Sequence, residues 1–101
     1  MKKIKWAVRQ YVKGELMDYA TNKRLLKEIK DTRSLLLAKK RIEQIDRVFN
    51  NLNEEDRKGA ELIFVKHYSQ ERAEIEGYSK KAYYNLQNKV IYLTAYEMEL
   101  I

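Results

Sequence analysis

The chain contains no proline and only three glycines, Gly14, Gly59 and Gly77, in 101 residues. Almost nothing in it forces the backbone out of the right-handed helical basin, and good helix formers such as Leu, Lys, Glu, Ile, Ala and Arg dominate. Helices separated by capping residues are the consequence, and the fold class read from this is all-α. A chain of this length makes one modest core and excludes a pair of enzyme-sized domains.

Apolar residues recur at Ile4, Val8, Tyr11/Val12, Leu16, Tyr19, Leu26 and Ile29, mostly in steps of three or four, as on one face of a helix. The pattern weakens over Ala20, Thr21, Asn22 and Lys23. Either Thr21 or Asn22 caps a new helix there, or one helix runs through, with Gly14 costing about 1 kcal/mol relative to alanine. Asp31, Thr32 and Ser34 then offer caps for a second helix, with apolar residues at Leu35, Ala38, Ile42, Ile45, Phe49 and Leu52. These steps form a heptad seam. Residues 1–52 are therefore expected to form a basic, antiparallel helical hairpin crossing at about 20°, with Trp6 as a packing anchor.

Residues 53–101 read differently. Asn53 is a strong N-cap, Asp56 three residues on completes a short variant of the capping box, and Glu54, Glu55 and Asp56 suit the positive end of the helix dipole. Ser69 caps a very short helix over 70–76, Gly77 allows a left-handed C-cap, and Ser79 caps a last helix whose Tyr83, Leu86, Val90 and Leu93 mark a buried stripe. A helix, a very short second helix ending at glycine, a brief turn and a serine-capped third helix is the order of a helix-turn-helix DNA-binding unit.

Charge supports the same region. Residues 1–52 hold 14 Lys/Arg against 6 Asp/Glu, while residues 53–101 hold 7 against 9. Within the second half, residues 77–96 carry three lysines and no carboxylate. If Tyr83, Leu86 and Val90 face inward, Lys80, Lys81, Tyr84, Asn85 and Asn88 face outward. Asparagine pairs with an adenine edge, lysine meets guanine or phosphate, and tyrosine reaches phosphate or a thymine methyl. Lys89 adds a third positive charge, and the amide groups after Ser79 point at phosphate. Each residue taken singly also suits an ordinary solvated or half-buried helix face.

The features LNEEDR, IFVKHY and GYSKKAYYNLQNKV, followed by an apolar tail, make the chain from about Ile42 onward resemble the region-four-type helix-turn-helix of sigma factors. The resemblance is closer to small phage-encoded transcriptional activators of the RinA and ArpU kind. It implies a sequence-specific transcriptional regulator in which Lys80, Lys81, Ala82, Tyr84 and Asn85 read the major groove of double-stranded DNA. It covers about half the chain, and residues 4–52 would match the variable N-terminal part of those activators. One departure stands out: the short second helix offers Arg72 and Glu76 where the family presents isoleucine and leucine. Either Ile75 turns inward to replace them, or the unit has lost its reading geometry and binds protein.

One such unit spans few base pairs, so a homodimer or bound RNA polymerase is the expected support. The heptad seam or the apolar tail at 93–101 would supply the self-contact. The alternative from another class is a helical adaptor that grips polymerase or another phage protein without reading bases. With no cysteine and a single histidine, His67, no metal, cofactor or catalytic residue is expected, and the chain does not read as an enzyme. The N-terminus lacks the apolar core of a signal peptide and no apolar run approaches bilayer length. A soluble, cytoplasmic protein with no membrane partner is the expectation, in the bacterial host if phage-encoded.

Overall fold

Four of the five α-helices begin at a side chain that accepts a hydrogen bond from the amide three residues ahead. Asp31 accepts from Ser34 at 3.0 Å, Asn53 from Asp56 at 2.7 Å, Ser69 from Arg72 at 3.3 Å and Ser79 from Ala82 at 3.1 Å. Each satisfies one of the amides that a helix start leaves without an internal partner. The computed structural model describes residues 3–101 and contains α1 (Trp6–Leu25), α2 (Thr32–Asn51), α3 (Glu54–Ala60), α4 (Gln70–Ile75) and α5 (Lys80–Glu97). A short 3₁₀ turn, Leu26–Glu28, follows α1, and α3 runs on into a π-helical stretch, Glu61–Val65. The fold is all-α, with no strand among the described residues.

Helix α1 is continuous through Thr21 and Asn22, and Gly14 lies within it with open space where a Cβ would stand. Trp6, expected to anchor packing, is instead 74% exposed at the first turn. The contacts between α1 and α2 also depart from a zipped antiparallel hairpin. Tyr11 lies under the Arg41 guanidinium at 5.7 Å, while Tyr19 packs on Phe49 with ring centroids 5.4 Å apart and hydrogen-bonds Asp46. Lys23 also meets Asp46, at 3.1 Å, so Tyr11 to Arg41 and Tyr19 to Phe49 do not fall in the single descending register of an antiparallel zipper. The helices cross.

The reason lies in what else competes for their apolar faces. Val12, Leu16 and Tyr19 join one buried cluster with Ile42, Ile45, Val48 and Phe49 of α2, Ile63 and Phe64 of the π stretch, and Val90, Ile91 and Ala95 of α5. By meeting three partners at once, α1 removes more apolar surface from water than it would along a single seam. The front of the expected seam is left over: Leu35 and Ala38 are half-buried, and the neighbouring Leu36 and Leu37 stay more than 60% exposed.

Arg57 fastens α3 to the preceding helix by donating to the carbonyls of Phe49, Asn50 and Leu52 at 3.1, 3.1 and 3.4 Å, groups that α2 leaves unpaired at its end. Where α3 meets α5, Gly59 is buried, and a Cβ there would stand 2.3 Å from Leu86 Cδ2. Only hydrogen fits. At its far end α5 closes with a Schellman motif, Leu100 N–H to Ala95 O at 2.9 Å and Glu99 N–H to Tyr96 O at 3.0 Å, which places Glu99 at φ 60°. Met98 is buried, and Leu93 and Ile101 pack against the same core, so much of the apolar tail at 93–101 is used within the chain. No helix among the described residues is long and apolar enough to cross a membrane.

Candidate nucleic-acid interface

The short helix α4 ends in a second Schellman motif. Tyr78 N–H reaches Ala73 O at 3.0 Å, Gly77 N–H reaches Glu74 O at 3.0 Å, and Gly77 takes φ 98°, a conformation that costs glycine little. Two residues later Ser79 starts α5, so the glycine converts the end of one helix into the start of the next within a brief turn. Ala73 is the buried anchor of α4. Ile75 is 86% exposed, so of the two alternatives the one in which it turns inward in place of the missing core residues does not hold. Arg72 also points away, stacked over the Tyr68 ring at 4.3 Å.

Helix α5 has two unlike faces. Tyr83, Leu86, Gln87, Val90, Ile91, Thr94 and Ala95 are buried. The Tyr83 hydroxyl donates to the Tyr68 carbonyl at 2.8 Å, pinning the first turn of α5 to the segment before α4. Burial raises the Tyr83 pKa, and nearby Tyr84 and Glu71 add to the effect. Lys80, Lys81, Ala82, Tyr84, Asn85, Asn88 and Lys89 are exposed.

At 100° per residue, Lys81, Asn85 and Asn88 lie along the centre of the outer stripe, with Tyr84 on one flank and Ala82 and Lys89 on the other. Ser79 serves as the cap. Among the described residues, the side chains of Lys80, Lys81, Asn85 and Asn88 make no hydrogen bond or ion pair within the chain.

Lys89 behaves differently. Its ammonium meets the Asp56 carboxylate at 2.7 Å, tying α5 back to the first turn of α3. The capping box expected at Asn53 is therefore only half formed: the Asp56 amide is capped, but its carboxylate is turned to Lys89 and to the Asn53 side-chain amide at 3.5 Å. Asp56 and Lys89 lie 33 residues apart, and no local pattern links them. The same corner holds a hollow of about 350 Å³ bordered by Glu55, Asp56, Glu76 and Ala82. With Asp56 neutralised by Lys89, Glu55 and Glu76 are left to repel phosphate on that flank, so a polyanion has its favourable approach from the side of Lys81, Tyr84, Asn85 and Asn88.

Two residues extend the stripe beyond the sequence-based set. Tyr92 and Tyr96 follow Asn85 and Asn88 at helical spacing, half-buried and 67% exposed respectively. Their spacing from Lys81 and Asn85 was available to reveal them. His67 is exposed just beyond the π stretch with φ 58°, and no group of three or more metal-ligating side chains exists among the described residues. Comparison with protein-family models, with curated proteins and with solved structures finds no match to this chain.

Proposed function

We propose that the chain is a sequence-specific DNA-binding transcriptional regulator, of the phage-encoded kind it resembles, in which α3, α4 and α5 act as a helix-turn-helix. On this reading α5 enters the major groove of double-stranded DNA, with Lys81, Asn85 and Asn88 along the centre of contact and Tyr84 beside them. Asn85 and Asn88 read base edges, Lys80 and Lys81 meet phosphate or guanine, and the Ser79-capped amides add a positive dipole end. Lys89 is held by Asp56 and reaches a phosphate only by leaving that carboxylate. What carries the reading is the asymmetry of α5: its inner face is committed to packing, while Lys80, Lys81, Asn85 and Asn88 on its outer face have no side-chain partner among the described residues.

Selection of bound sequences from a random duplex pool tests this. A recovered consensus that Asn85→Ala weakens or relaxes supports the reading, and recovery of unrelated sequences contradicts it. Half-site number and spacing in the consensus also report whether a homodimer binds.

A second reading, a helical adaptor that grips RNA polymerase or another protein without reading bases, draws on Ile75. An isoleucine 86% exposed on α4, beside an acid-lined hollow, suits protein contact better than phosphate. Under that reading no duplex consensus emerges.

A further inference from the structure

Residues 20–41 hold eight Lys/Arg against two Asp/Glu, a balance of +6 that equals the charge of the whole chain. Everything outside this segment sums to zero. The segment borders a cleft of about 640 Å³ between α1 and the first half of α2, with walls that include Leu25, Ile29, Leu37, Ala38, Ile42 and Ile45. Ile29 also lines an adjoining hollow of about 450 Å³, where Lys23, Arg24, Lys27 and Lys39 make up four of seven lining residues. Lys23 is bridged to Asp46 at 3.1 Å, whereas Arg24, Lys27 and Lys39 form no ion pair among the described residues. Across both linings five cationic groups, Arg41 included, face one carboxylate, Glu15.

We propose that this paired hollow docks an acidic amphipathic helix of a partner protein. Apolar side chains at i, i+3 or i+4, and i+7 fill the cleft, and carboxylates on the flank of the same helix lie over Arg24, Lys27 and Lys39. Leu37, 61% exposed, lines the cleft and is covered when the helix docks. The crossing of α1 over α2 creates the opening, because a zipped hairpin would fill the space with its own seam.

Charge decides among occupants. A second copy presenting the same basic segment would be repelled, and one presenting its acidic segments 54–56 and 71–76 is an outcome of the test below. Duplex DNA would meet the lysines, but within the cleft Leu25, Ile29, Leu37, Ala38, Ile42 and Ile45 give a phosphate nothing to pair with and the Glu15 carboxylate repels it. An anionic bilayer suits a projecting apolar face better than a concave one. The proposal stands apart from the DNA-binding reading, since no outer-stripe residue of α5 lines either hollow.

Panning a displayed library of random helical 18-residue peptides against the full-length chain tests it, followed by affinity measurements on the recovered peptide. The expected winners carry net negative charge and apolar residues at helical spacing. Leu37→Asp, at an exposed position, and the pair Lys27→Glu with Lys39→Glu are each expected to weaken the recovered peptide at least tenfold, with circular dichroism confirming an unchanged fold. Lys80→Ala with Lys81→Ala is expected to leave it untouched. The proposal is overturned if no peptide is recovered, if the peptides lack an acidic excess, or if the variants bind them as well as the parent chain does. It is equally overturned if Leu37→Asp instead abolishes self-association, duplex binding or binding to phosphatidylserine vesicles while peptide affinity is unchanged.

Discussion

The phenolic hydroxyl of Tyr83 donates a 2.8 Å hydrogen bond to the main-chain carbonyl of Tyr68, joining the first turn of α5 to the residues that precede α4. Tyr68 is itself held to the π stretch, its amide bonding Leu62 O at 2.9 Å. The angle at which α5 leaves the body thus depends on a side chain from its own buried stripe. Tyr83→Phe keeps the ring and removes the bond, which is expected to cost about 1 kcal/mol by chemical denaturation.

The same tyrosine sets an alkaline limit. Burial raises the pKa of both Tyr83 and Tyr19, and at Tyr19 a hydrogen bond to Asp46 adds to it while Lys23 opposes it. A group whose folded pKa lies above its unfolded value of about 10 contributes stability that is fully present below that value and lost as pH rises through the folded pKa. Stability is therefore expected to fall above about pH 10, and less steeply in Tyr83→Phe. Denaturation midpoints across that range check both slopes.

Gly59 and Leu86 form the tightest approach between α3 and α5. Gly59→Ala forces a methyl against Leu86 Cδ2 and is expected to destabilise by about 1–3 kcal/mol. Shortening the opposing side chain creates room, so in Gly59→Ala/Leu86→Ala the two losses should sum to less than their separate values by about 0.5 kcal/mol or more. Strict additivity in a double-mutant cycle would show that the contact does not explain the glycine.

Thr94 is wholly buried in α5, and its Oγ1 has no hydrogen-bond partner among the described residues. Thr94→Val keeps the branched shape and removes an unsatisfied hydroxyl, for an expected gain of about 1 kcal/mol in unfolding free energy.

Glu99 occupies the left-handed position that the other Schellman motif gives to Gly77. Glu99→Gly should relieve that strain and raise stability by about 0.5–1 kcal/mol, since left-handed backbone disfavours a residue with a Cβ. Gly77→Ala should act in the opposite sense by a similar amount. Paired thermal melts read the two signs directly.

The starts of α3, α4 and α5 were legible because capping is local, whereas at α2 Asp31 was one of three candidates and α1 has no side-chain cap to read. Asp31, Asn53, Ser69 and Ser79 each act on an amide three residues away, so a short window of sequence holds the whole signal. Apolar spacing on α2 correctly marked Ile42, Ile45, Phe49 and Leu52 as buried, since periodicity reports which face leaves water. It does not report the partner, and so the crossing of α1 with α2, the exposure of Trp6 and the unfilled cleft stayed hidden.

Tertiary approaches were hidden for the same reason. Gly59 resembles any helical glycine until Leu86 is brought to it, and Asp56 resembles half of a capping box until Lys89 arrives to take its carboxylate. On α4, Ala73 is small enough to be overlooked as an anchor beside Ile75, yet geometry favours the alanine. At the candidate interface, the outward position of Lys81, Tyr84, Asn85 and Asn88 followed from Tyr83, Leu86 and Val90 alone, while the acid-lined flank near Ala82 needed three separate elements to come together.

On the proposed function, the outer stripe at the start of α5 contacts the DNA backbone and bases. Its most direct test is duplex affinity across a salt titration, comparing the parent chain with Lys80→Ala/Lys81→Ala on one selected sequence. Two lost phosphate contacts should weaken binding and make the log–log salt slope shallower by about 1.8, with Lys89 contributing little while Asp56 holds it. Equal affinities and parallel slopes for the two proteins would contradict the account.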